Sequence, residues 1–336
     1  MPGSSGRCAN TGSGFGSSTL EVFDMKNNTG SVQTRHSIYL LLAAFFWGTT
    51  FVAQDMAMEV MQPFTFNVCR FLLGSMVLIP VALLTGRIDP LSVNYRGAEI
   101  PGVSTPPGER RKHLLLGGFC CGLCVFLAGG FQQVGIVYTT AGKSGFVTAL
   151  YIILVPILGL FIGRKCTPLI WLSIAIAIVG FYFLCIKEDF SVNRGDLITL
   201  GSSFIFATQI LMVDHFSPKC NGVQLSCLQF LVAGLLSLIP AFVFENPEFA
   251  AIQSAILPIL YSAILSSGVA YTLQIIGQRG LNPTLASLLM SVESVISVLA
   301  GWIILGDTLT GKEILGCVLV FAGVILAQMP AGKPKR

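Results

Sequence analysis

The stretch GIVYTTAGKSGFVTALYIILVPILGLFIG, residues 135–163, has a counterpart later in the chain, GQRGLNPTLASLLMSVESVISVLAGWIILG, residues 277–306. Both stretches are apolar over about twenty residues and carry small residues at matching places. At one fixed offset, two pairs of glycines coincide: Gly135 with Gly277, and Gly159 with Gly301. A match of this kind indicates an internal repeat. If further segments match in the same order, the repeat defines the fold.

Two further matches occur in the same order. FFWGTTFVAQDMA, from Phe45, resembles SFIFATQILMVDHF, from Ser203. The segments that follow, CRFLLGSMVLIP and LQFLVAGLLSLIP, both end in Leu-Ile-Pro, at Pro80 and Pro240. No single match is specific, but three in one order predict that the second half of the chain repeats the first.

The centre of the opening stretch, Gly142-Lys143-Ser144, also ends like a phosphate-binding P-loop. That loop needs a glycine five residues before the Gly-Lys pair, so that backbone N–H groups can surround the phosphates. Val137 occupies this position, and no strand pattern leads into it. The sequence therefore argues against nucleotide binding. Lys143 remains as a charge near one end of an apolar segment.

The composition predicts an integral membrane protein. Hydrophobic residues make up 53% of the 336 residues and charged residues only 11%, with a mean hydropathy of +0.77, whereas about a quarter of a soluble protein is charged. The net charge of +4 is better interpreted through its distribution along the chain than as a sign of nucleic-acid binding.

Ten cysteines lie mostly in apolar segments, and even the Cys121–Cys124 pair lacks a second cluster. We therefore expect neither a metal nor another cofactor.

Ten segments are long and apolar enough to cross a membrane as helices. They are approximately Ser37–Ala57, Pro63–Leu84, His113–Val137, Thr140–Ile162, Pro168–Ile186, Asp196–His215, Gln224–Phe244, Ser254–Gln278, Thr284–Leu305 and Glu313–Gln328. The first repeat then covers residues 37–186 and the second 195–328. Residues 1–35, rich in Gly and Ser, are predicted to form a disordered tail, and residues 329–336 a basic tail.

Lysine and arginine predict the orientation. With the N-terminus in the cytoplasm, the cytoplasmic segments hold fifteen of these residues and the outer loops three. We therefore expect both termini inside a plasma (inner) membrane. Since each repeat has five spans, the second enters the membrane from the opposite side, which is the inverted-repeat architecture of many secondary transporters.

The same spans resemble the EamA family of the drug/metabolite transporter superfamily. The resemblance is carried by WGTTF in the first span, by GFVTALYIILVP in the fourth, and by the ending ESVISVLAGWIILGDTLTGKEILGCVLVFAGVILA. Where the family usually has Glu-Pro in the ninth span, this chain has Glu293-Ser294, so a proline kink is not predicted there. The resemblance implies an all-α fold of ten transmembrane helices around a central cavity that opens to one side at a time. It also implies transport of small metabolites, often export.

Lys143 heads a polar helix face. Lys143, Ser144, Thr148 and Tyr151 lie on one side of the fourth span, and such a face is unsuited to lipid. Two interpretations of Lys143 stay open. Its long side chain could reach the outer membrane interface, or it could hold an anionic group, such as a substrate carboxylate, inside the cavity.

Two further charges lie within spans, Arg70 in the second and Glu293 in the ninth. In the repeat alignment Arg70 meets Gln229 and Glu293 meets Tyr151, so neither charge is duplicated. Arg70 could be a structural anchor or a gate. Glu293 could carry a proton and couple transport to a pH gradient, or it could bond a neighbouring helix. We therefore assign both residues to coupling or gating.

The remaining candidates for substrate binding are uncharged polar or aromatic side chains within spans. Together with Lys143 they are Thr148, Tyr151, Trp47, Thr50, Gln133, Tyr271 and Gln274, and Gln132 is a weaker candidate beside them. Polar side chains also join helices to one another, so a packing role is the alternative for each.

The function predicted from the sequence is a secondary transporter, an exporter or exchanger of a small metabolite that could be amino-acid-like. A membrane enzyme is disfavoured because the three histidines, His36, His113 and His215, all lie at helix ends. Phosphorylated or nucleotide-linked substrates are one alternative, although they require several basic cavity residues. A non-transporting scaffold of the same fold is the other. A monomer and a homodimer are both compatible with the sequence.

Overall fold

Long apolar segments make most of the described chain helical. The computed structural model describes residues 17–85, 107–164, 166–185, 194–279, 281–306 and 310–329, and no strand occurs in these ranges. Helices suit such a sequence because a backbone surrounded by hydrocarbon has to satisfy its own N–H and C=O groups.

Fourteen α-helices are assigned within these ranges. They are α1 (Ser17–Met58), α2 (Pro63–Thr85), α3 (Pro107–Ile136), α4 (Ala141–Ala149), α5 (Tyr151–Phe161), α6 (Pro168–Cys185), α7 (Arg194–Phe216), α8 (Gly222–Phe244), α9 (Phe249–Ser254), α10 (Ile256–Tyr261), α11 (Tyr271–Gln278), α12 (Pro283–Met290), α13 (Val292–Ala300) and α14 (Gly311–Gln328). A 3₁₀ turn covers Ser217–Lys219, and π-helical segments cover Ser262–Ala270 and Gly301–Leu305.

Several of the apolar helices have the length of a membrane span. Among the described residues, eight helical stretches are long and apolar enough to cross a membrane. Two shorter apolar helices, Pro168–Phe183 and Ile314–Ala327, lie in the fifth and tenth predicted segments. Large apolar side chains such as Phe161, Phe244 and Leu257 point outwards and are mostly exposed. An outer surface of this kind fits a lipid environment.

The first helix begins earlier than the predicted first span, at Ser17 instead of near Ser37. Helix is therefore assigned within part of the segment that the sequence predicts as a tail, while residues 1–16 and 330–336 lie outside the described ranges. Between the second and third predicted spans, the structure describes Thr85, where α2 ends, and then the chain from Pro107, where α3 begins.

The helices of the first half (α1–α6) pack mainly on helices of the second half (α7–α14). The largest contacts pair α6 with α14, α2 with α8, and α3 with α7 and α8. In addition, α1 packs on α11, α13 and the π-helical segment Ser262–Ala270, while α4 and α5 pack on α7. The interior of the protein therefore lies between the two halves, and neither half encloses a core of its own.

Two glycines allow equivalent helices to approach closely. A Cβ atom placed on Gly135 would lie 3.1 Å from the carbonyl oxygen of Gly195 and closer still to the Thr199 hydroxyl. One placed on Gly277 would lie 3.1 Å from the carbonyl oxygen of His36 and 2.9 Å from the Leu40 side chain. The histidine also bonds Gly277, with 3.0 Å between Nδ1 and the carbonyl oxygen. The glycine pair that aligns in the sequence thus makes the same kind of helix crossing in both halves, α3 on α7 and α11 on α1.

Candidate functional site

A small buried cavity lies where helices of the two halves meet. Its free volume is about 40 Å³, which gives room for a few water molecules. The wall is made of aromatic rings, side-chain amides and two charged groups. The lining residues are Trp47, Phe51, Gln54, Arg70, Phe71, Gln132, Thr148, Tyr151, Phe206, Gln209, Ile210, Ser266, Ser267, Tyr271, Gln274, Met290 and Glu293.

Arg70 is the cation of the cavity wall. It is only 5% exposed, and its guanidinium carbon lies 4.6 Å from the ring centre of Phe71 and 5.4 Å from that of Phe66. Its Nε has no hydrogen-bond partner, and no carboxylate within the described ranges lies at ion-pairing distance. The guanidinium is therefore held by aromatic faces, which attract a cation without neutralising it.

Glu293 is the carboxylic acid of the wall. It is 4% exposed, and the Tyr151 hydroxyl donates a hydrogen bond to its Oε1 over 2.9 Å. The two residues occupy equivalent positions in the repeat alignment. The hydrogen bond therefore joins the two halves through residues that occupy the same position in each repeat.

Interruptions in both helices place these two side chains. The apolar span Ala141–Phe161 is interrupted at Leu150, between α4 and α5. The span Pro283–Leu305 is interrupted at Ser291, between α12 and α13. The two residues have almost the same backbone angles, φ −61° and ψ −11° at Leu150 and φ −62° and ψ −13° at Ser291.

The break in the later span does not need a proline. The hydroxyls of Ser291 and Ser294 each bond a carbonyl three residues earlier, over 2.8 Å, and such bonds compete with the regular helix pattern. Serines therefore accompany an interruption next to Glu293 in a span that lacks the proline of the family pattern.

Side-chain amides form the polar part of the wall. Gln209 and Gln274 bond each other through both amides, over 3.1 and 3.5 Å. Gln132 donates to the Thr148 hydroxyl over 3.1 Å. Because each of these bonds crosses between helices, the amides hold the wall together while still presenting polar atoms to the cavity.

An aromatic cluster and a π-helical segment complete the wall. The Trp47 and Tyr271 ring centres lie 4.7 Å apart, and Phe230 contacts Tyr271 edge-on at 5.0 Å. Ser266 and Ser267 come from the π-helical segment Ser262–Ala270. Short π-helical segments within helices frequently mark functional sites, and this one borders the cavity.

Seven of the ten residues predicted from the sequence line the cavity. They are Trp47, Arg70, Thr148, Tyr151, Tyr271, Gln274 and Glu293. The cavity also includes Gln132, the weaker candidate. Sequence reasoning missed Gln54, Gln209, Ser266 and Ser267. For Gln209 a signal existed, since in the repeat alignment it falls on Thr50, a predicted site residue.

The other three predicted residues, Thr50, Gln133 and Lys143, lie outside the cavity wall. The Thr50 hydroxyl bonds the carbonyl of Phe46 in its own helix over 2.6 Å. Gln133 is fully buried, and neither atom of its amide has a partner. Lys143 is half-buried in the first turn of α4, where its backbone N–H bonds Thr140. The structure does not bring these side chains together with Arg70 and Glu293.

A metal centre has no candidate in this region. In the parts of the chain that the structure describes, no group of three His, Cys, Asp or Glu side chains is placed to hold a metal ion. The chemistry available to the cavity is therefore that of one guanidinium, one carboxyl group, amides, hydroxyls and aromatic faces.

Many apolar helices around a small polar cavity define a multi-pass membrane protein. Its sequence matches the model of the EamA-like transporter family twice, over residues 35–186 and 193–329. The chain therefore belongs to the EamA-like transporter family and is a membrane transporter. The family predicted from the sequence is confirmed.

Relatives agree with this class, and a solved structure agrees with the fold. An uncharacterized transporter of Archaeoglobus fulgidus is 29% identical over 315 residues, covering 93% of this chain and 92% of the relative. The threonine/homoserine exporter RhtA of Salmonella typhimurium is 29% identical over 170 residues, 49% of this chain and 56% of RhtA. A crystal structure with 18% identity superposes with a TM-score of 0.69, covering 88% of this chain and 96% of the other, and shows the fold alone.

Proposed function

We propose that this protein is a secondary transporter that moves a small polar metabolite across the membrane by alternating access, as an exporter or an exchanger. The observation that carries the proposal is a buried polar cavity walled by helices of both halves, with Arg70 and Glu293 in its wall. Buried charges in a membrane protein are costly and mark solute or ion pathways. Since the cavity holds only a few water molecules, a solute enters when the halves move apart.

We propose ten spans, arranged as two inverted repeats of five over residues 37–186 and 195–328. The equivalent crossings of Gly135 and Gly277 support a two-fold relation between the halves. The packing pairs agree with it, because α3 packs on α7 as α1 packs on α11. The excess of Lys and Arg in the predicted inner segments supports cytoplasmic termini in a plasma membrane.

We propose that Glu293 couples transport to a proton gradient. Its carboxyl group lies in the cavity wall and bonds a neutral hydroxyl instead of a cation, so a proton can be gained or lost without breaking an ion pair. Arg70 lies in the same wall and is proposed as the gate. The seven predicted residues in the wall are proposed to face the solute.

Amino acids are the first solutes to assay, because one relative is named a threonine/homoserine exporter. The wall contains one cation among its lining residues, which is fewer than a phosphorylated or nucleotide-linked solute requires. A scaffold without transport activity would show no flux.

The test is solute flux in proteoliposomes with an imposed pH gradient. We expect the purified protein to accelerate flux of at least one small metabolite, and Glu293→Gln to abolish the effect of the gradient. Glu248→Gln, which changes an exposed carboxylate in a loop, is the matched control. If no metabolite moves, transport is rejected, and if the gradient drives Glu293→Gln as it drives the parent, the coupling role is rejected.

Lys143 is tested in the same assay. The prediction that it holds an anionic group of the solute requires Lys143→Met to weaken transport. Transport equal to that of the parent at every solute concentration would reject this role and leave Lys143 as an interface residue.

A further inference from the structure

Arg70 and Glu293 are the two charged residues among those that line the cavity. Both are more than nine-tenths buried, yet they do not form an ion pair with each other. Opposite charges that share a low-dielectric space attract strongly, and burying each one alone is costly. Within the described ranges neither charge has a partner of opposite charge, so a solute that enters when the halves move apart can interact with both.

The surroundings of Arg70 favour a carboxylate ligand. A guanidinium is a planar fork of N–H donors that matches the two oxygens of a carboxylate. Here the fork lies between Phe66 and Phe71, and a Cβ on Gly129 would lie 3.2 Å from one of its terminal nitrogens. The aromatic rings and the glycine of α3 thus position the guanidinium, and its buried Nε has no protein acceptor.

The surroundings of Glu293 favour a cationic ligand. Tyr151 donates to one carboxyl oxygen, and no Lys, Arg or His side chain within the described ranges forms an ion pair with Glu293. A carboxylate accepts several hydrogen bonds, so a ligand ammonium group can bind without displacing Tyr151. The Tyr151 hydroxyl is neutral, so it supplies no countercharge when Glu293 is ionised.

We propose that the cavity is a two-pole site for a zwitterion, with the ligand carboxylate at Arg70 and the ligand ammonium at Glu293. The proposal rests on the transport function proposed above and names its substrate class, a small solute that carries one positive and one negative group. A solute with a single charge leaves one buried pole unsatisfied, and such a loss produces strong discrimination. Trp47 and Tyr271, which also line the cavity, supply apolar surface for the rest of the solute.

The first test compares matched ligands on the purified full-length protein by isothermal titration calorimetry. The twenty common amino acids and glycine betaine are screened, and the tightest amino acid is compared with its decarboxylated amine and its deaminated acid. We expect each analogue to bind about 30-fold more weakly or worse. An analogue that binds as tightly as the amino acid overturns the proposal, and so does a screen in which no zwitterion binds.

The second test assigns the poles with Arg70→Gln and Glu293→Gln. In Arg70→Gln we expect the amino acid to lose about 30-fold in affinity while the amine analogue binds as it does to the parent. In Glu293→Gln the acid analogue is the one whose binding is unchanged. Lys219→Gln and Glu248→Gln remove a charge outside the cavity and are the matched controls. Equal weakening of all three ligands in both variants overturns the assignment of poles.

The outcomes separate this proposal from the transport function. If a variant does not fold, the ligand series on the parent protein still decides. If proteoliposomes carry a singly charged or neutral solute and no zwitterion, transport stands and the two-pole site is overturned. If zwitterions bind with the expected preference but no flux is detected, the site stands and the transport function is rejected.

Discussion

The two halves of the molecule contribute equivalent positions to the cavity but different side chains. Five pairs that align in the repeat both line it: Trp47 with Phe206, Phe51 with Ile210, Gln132 with Gln274, Thr148 with Met290, and Tyr151 with Glu293. The first three pairs keep the same kind of side chain, aromatic, apolar or amide. The last two change it, and one of them introduces a carboxyl group.

The difference separates positions that are the same in both halves from positions that carry a charge in one half only. Gly135 and Gly277 make equivalent helix crossings, so the same residue is needed in both halves. At the position of Arg70 the second half has Gln229, which is buried with neither amide atom partnered. The glycine crossings between the halves are thus symmetric, whereas the two cavity charges each occur in one half only.

The largest effect is expected where the symmetry is most complete, at Gly135 and Gly277. Gly135→Ala and Gly277→Ala each place a Cβ against a neighbouring helix backbone, and we expect each to destabilise the protein by about 2 kcal/mol. The measurement is the free energy of unfolding in mixed micelles. Equal losses would confirm that the two crossings are equivalent.

Gly142→Ala is the control for this comparison. The nearest atom to a Cβ at Gly142 is 3.7 Å away, so the alanine meets no clash and we expect a change within about 0.5 kcal/mol. If only one of the two test variants loses stability, the crossings differ, and the two-fold relation between the halves loses its main support.

Sequence reasoning identified those residues of the cavity wall that stand out by charge or by repetition. Arg70 and Glu293 were identifiable because a charge within an apolar span is rare. Gln54 and Ser266 were not, since uncharged polar residues occur in many spans for packing alone. Lys143 shares a helix face with Thr148 but lies five residues, about 8 Å, away along the axis. Periodicity gives the face of a residue and not its depth relative to a cavity.

The same limit applies to the fold. The apolar segments predicted where helices lie, and the proline at each start of α2 and α6 marked their beginnings. The partners of each helix could not be derived, because packing of α2 on α8 or α6 on α14 depends on contacts between distant parts of the chain. The aligned glycines Gly135 and Gly277 mark two other contacts, α3 on α7 and α11 on α1.

A smaller effect is expected at Tyr151 and Glu293, which are equivalent in the repeat but carry different side chains. Tyr151→Phe removes the hydroxyl that donates to Glu293 and leaves the rest of the ring in place. A buried carboxylate that loses its donor is destabilised by about 1–2 kcal/mol. We therefore expect solute affinity to fall about tenfold. The measurement is calorimetric binding of the tightest solute, with flux at low solute concentration as a second measurement.

Tyr182→Phe is the matched control, because Tyr182 is 57% exposed on the outer surface. We expect it to bind solute as the parent does. Unchanged affinity in Tyr151→Phe would mean that the contact between the two repeat-equivalent residues serves packing alone, and the distinction drawn between symmetric and asymmetric positions would fail there.

The smallest losses in unfolding free energy are expected at the two ends of the α2–α8 contact, which joins the halves. At one end the Glu245 carboxylate accepts from the backbone N–H groups of Phe64 and Thr65, over 2.8 and 2.7 Å. At the other end Asn221 caps α8, since its Oδ1 accepts from the backbone N–H groups of Val223 and Gln224 over 2.9 and 3.2 Å. Its amide nitrogen also donates to the Thr85 carbonyl over 2.8 Å. Since a carboxylate makes stronger hydrogen bonds than a neutral amide, we expect Glu245→Ala to lose about 1.5 kcal/mol and Asn221→Ala about 1 kcal/mol.

The double variant sharpens this comparison. The two caps lie at opposite ends of α8, whose 23 residues span about 34 Å, so their losses in unfolding free energy should add within about 0.5 kcal/mol. Additive losses mean that α2 and α8 stay packed along their length, as expected of a pair that moves as one body when the cavity opens. A double loss well above the sum would show that releasing one end loosens the other, and the pair would then be a moving part of the gate.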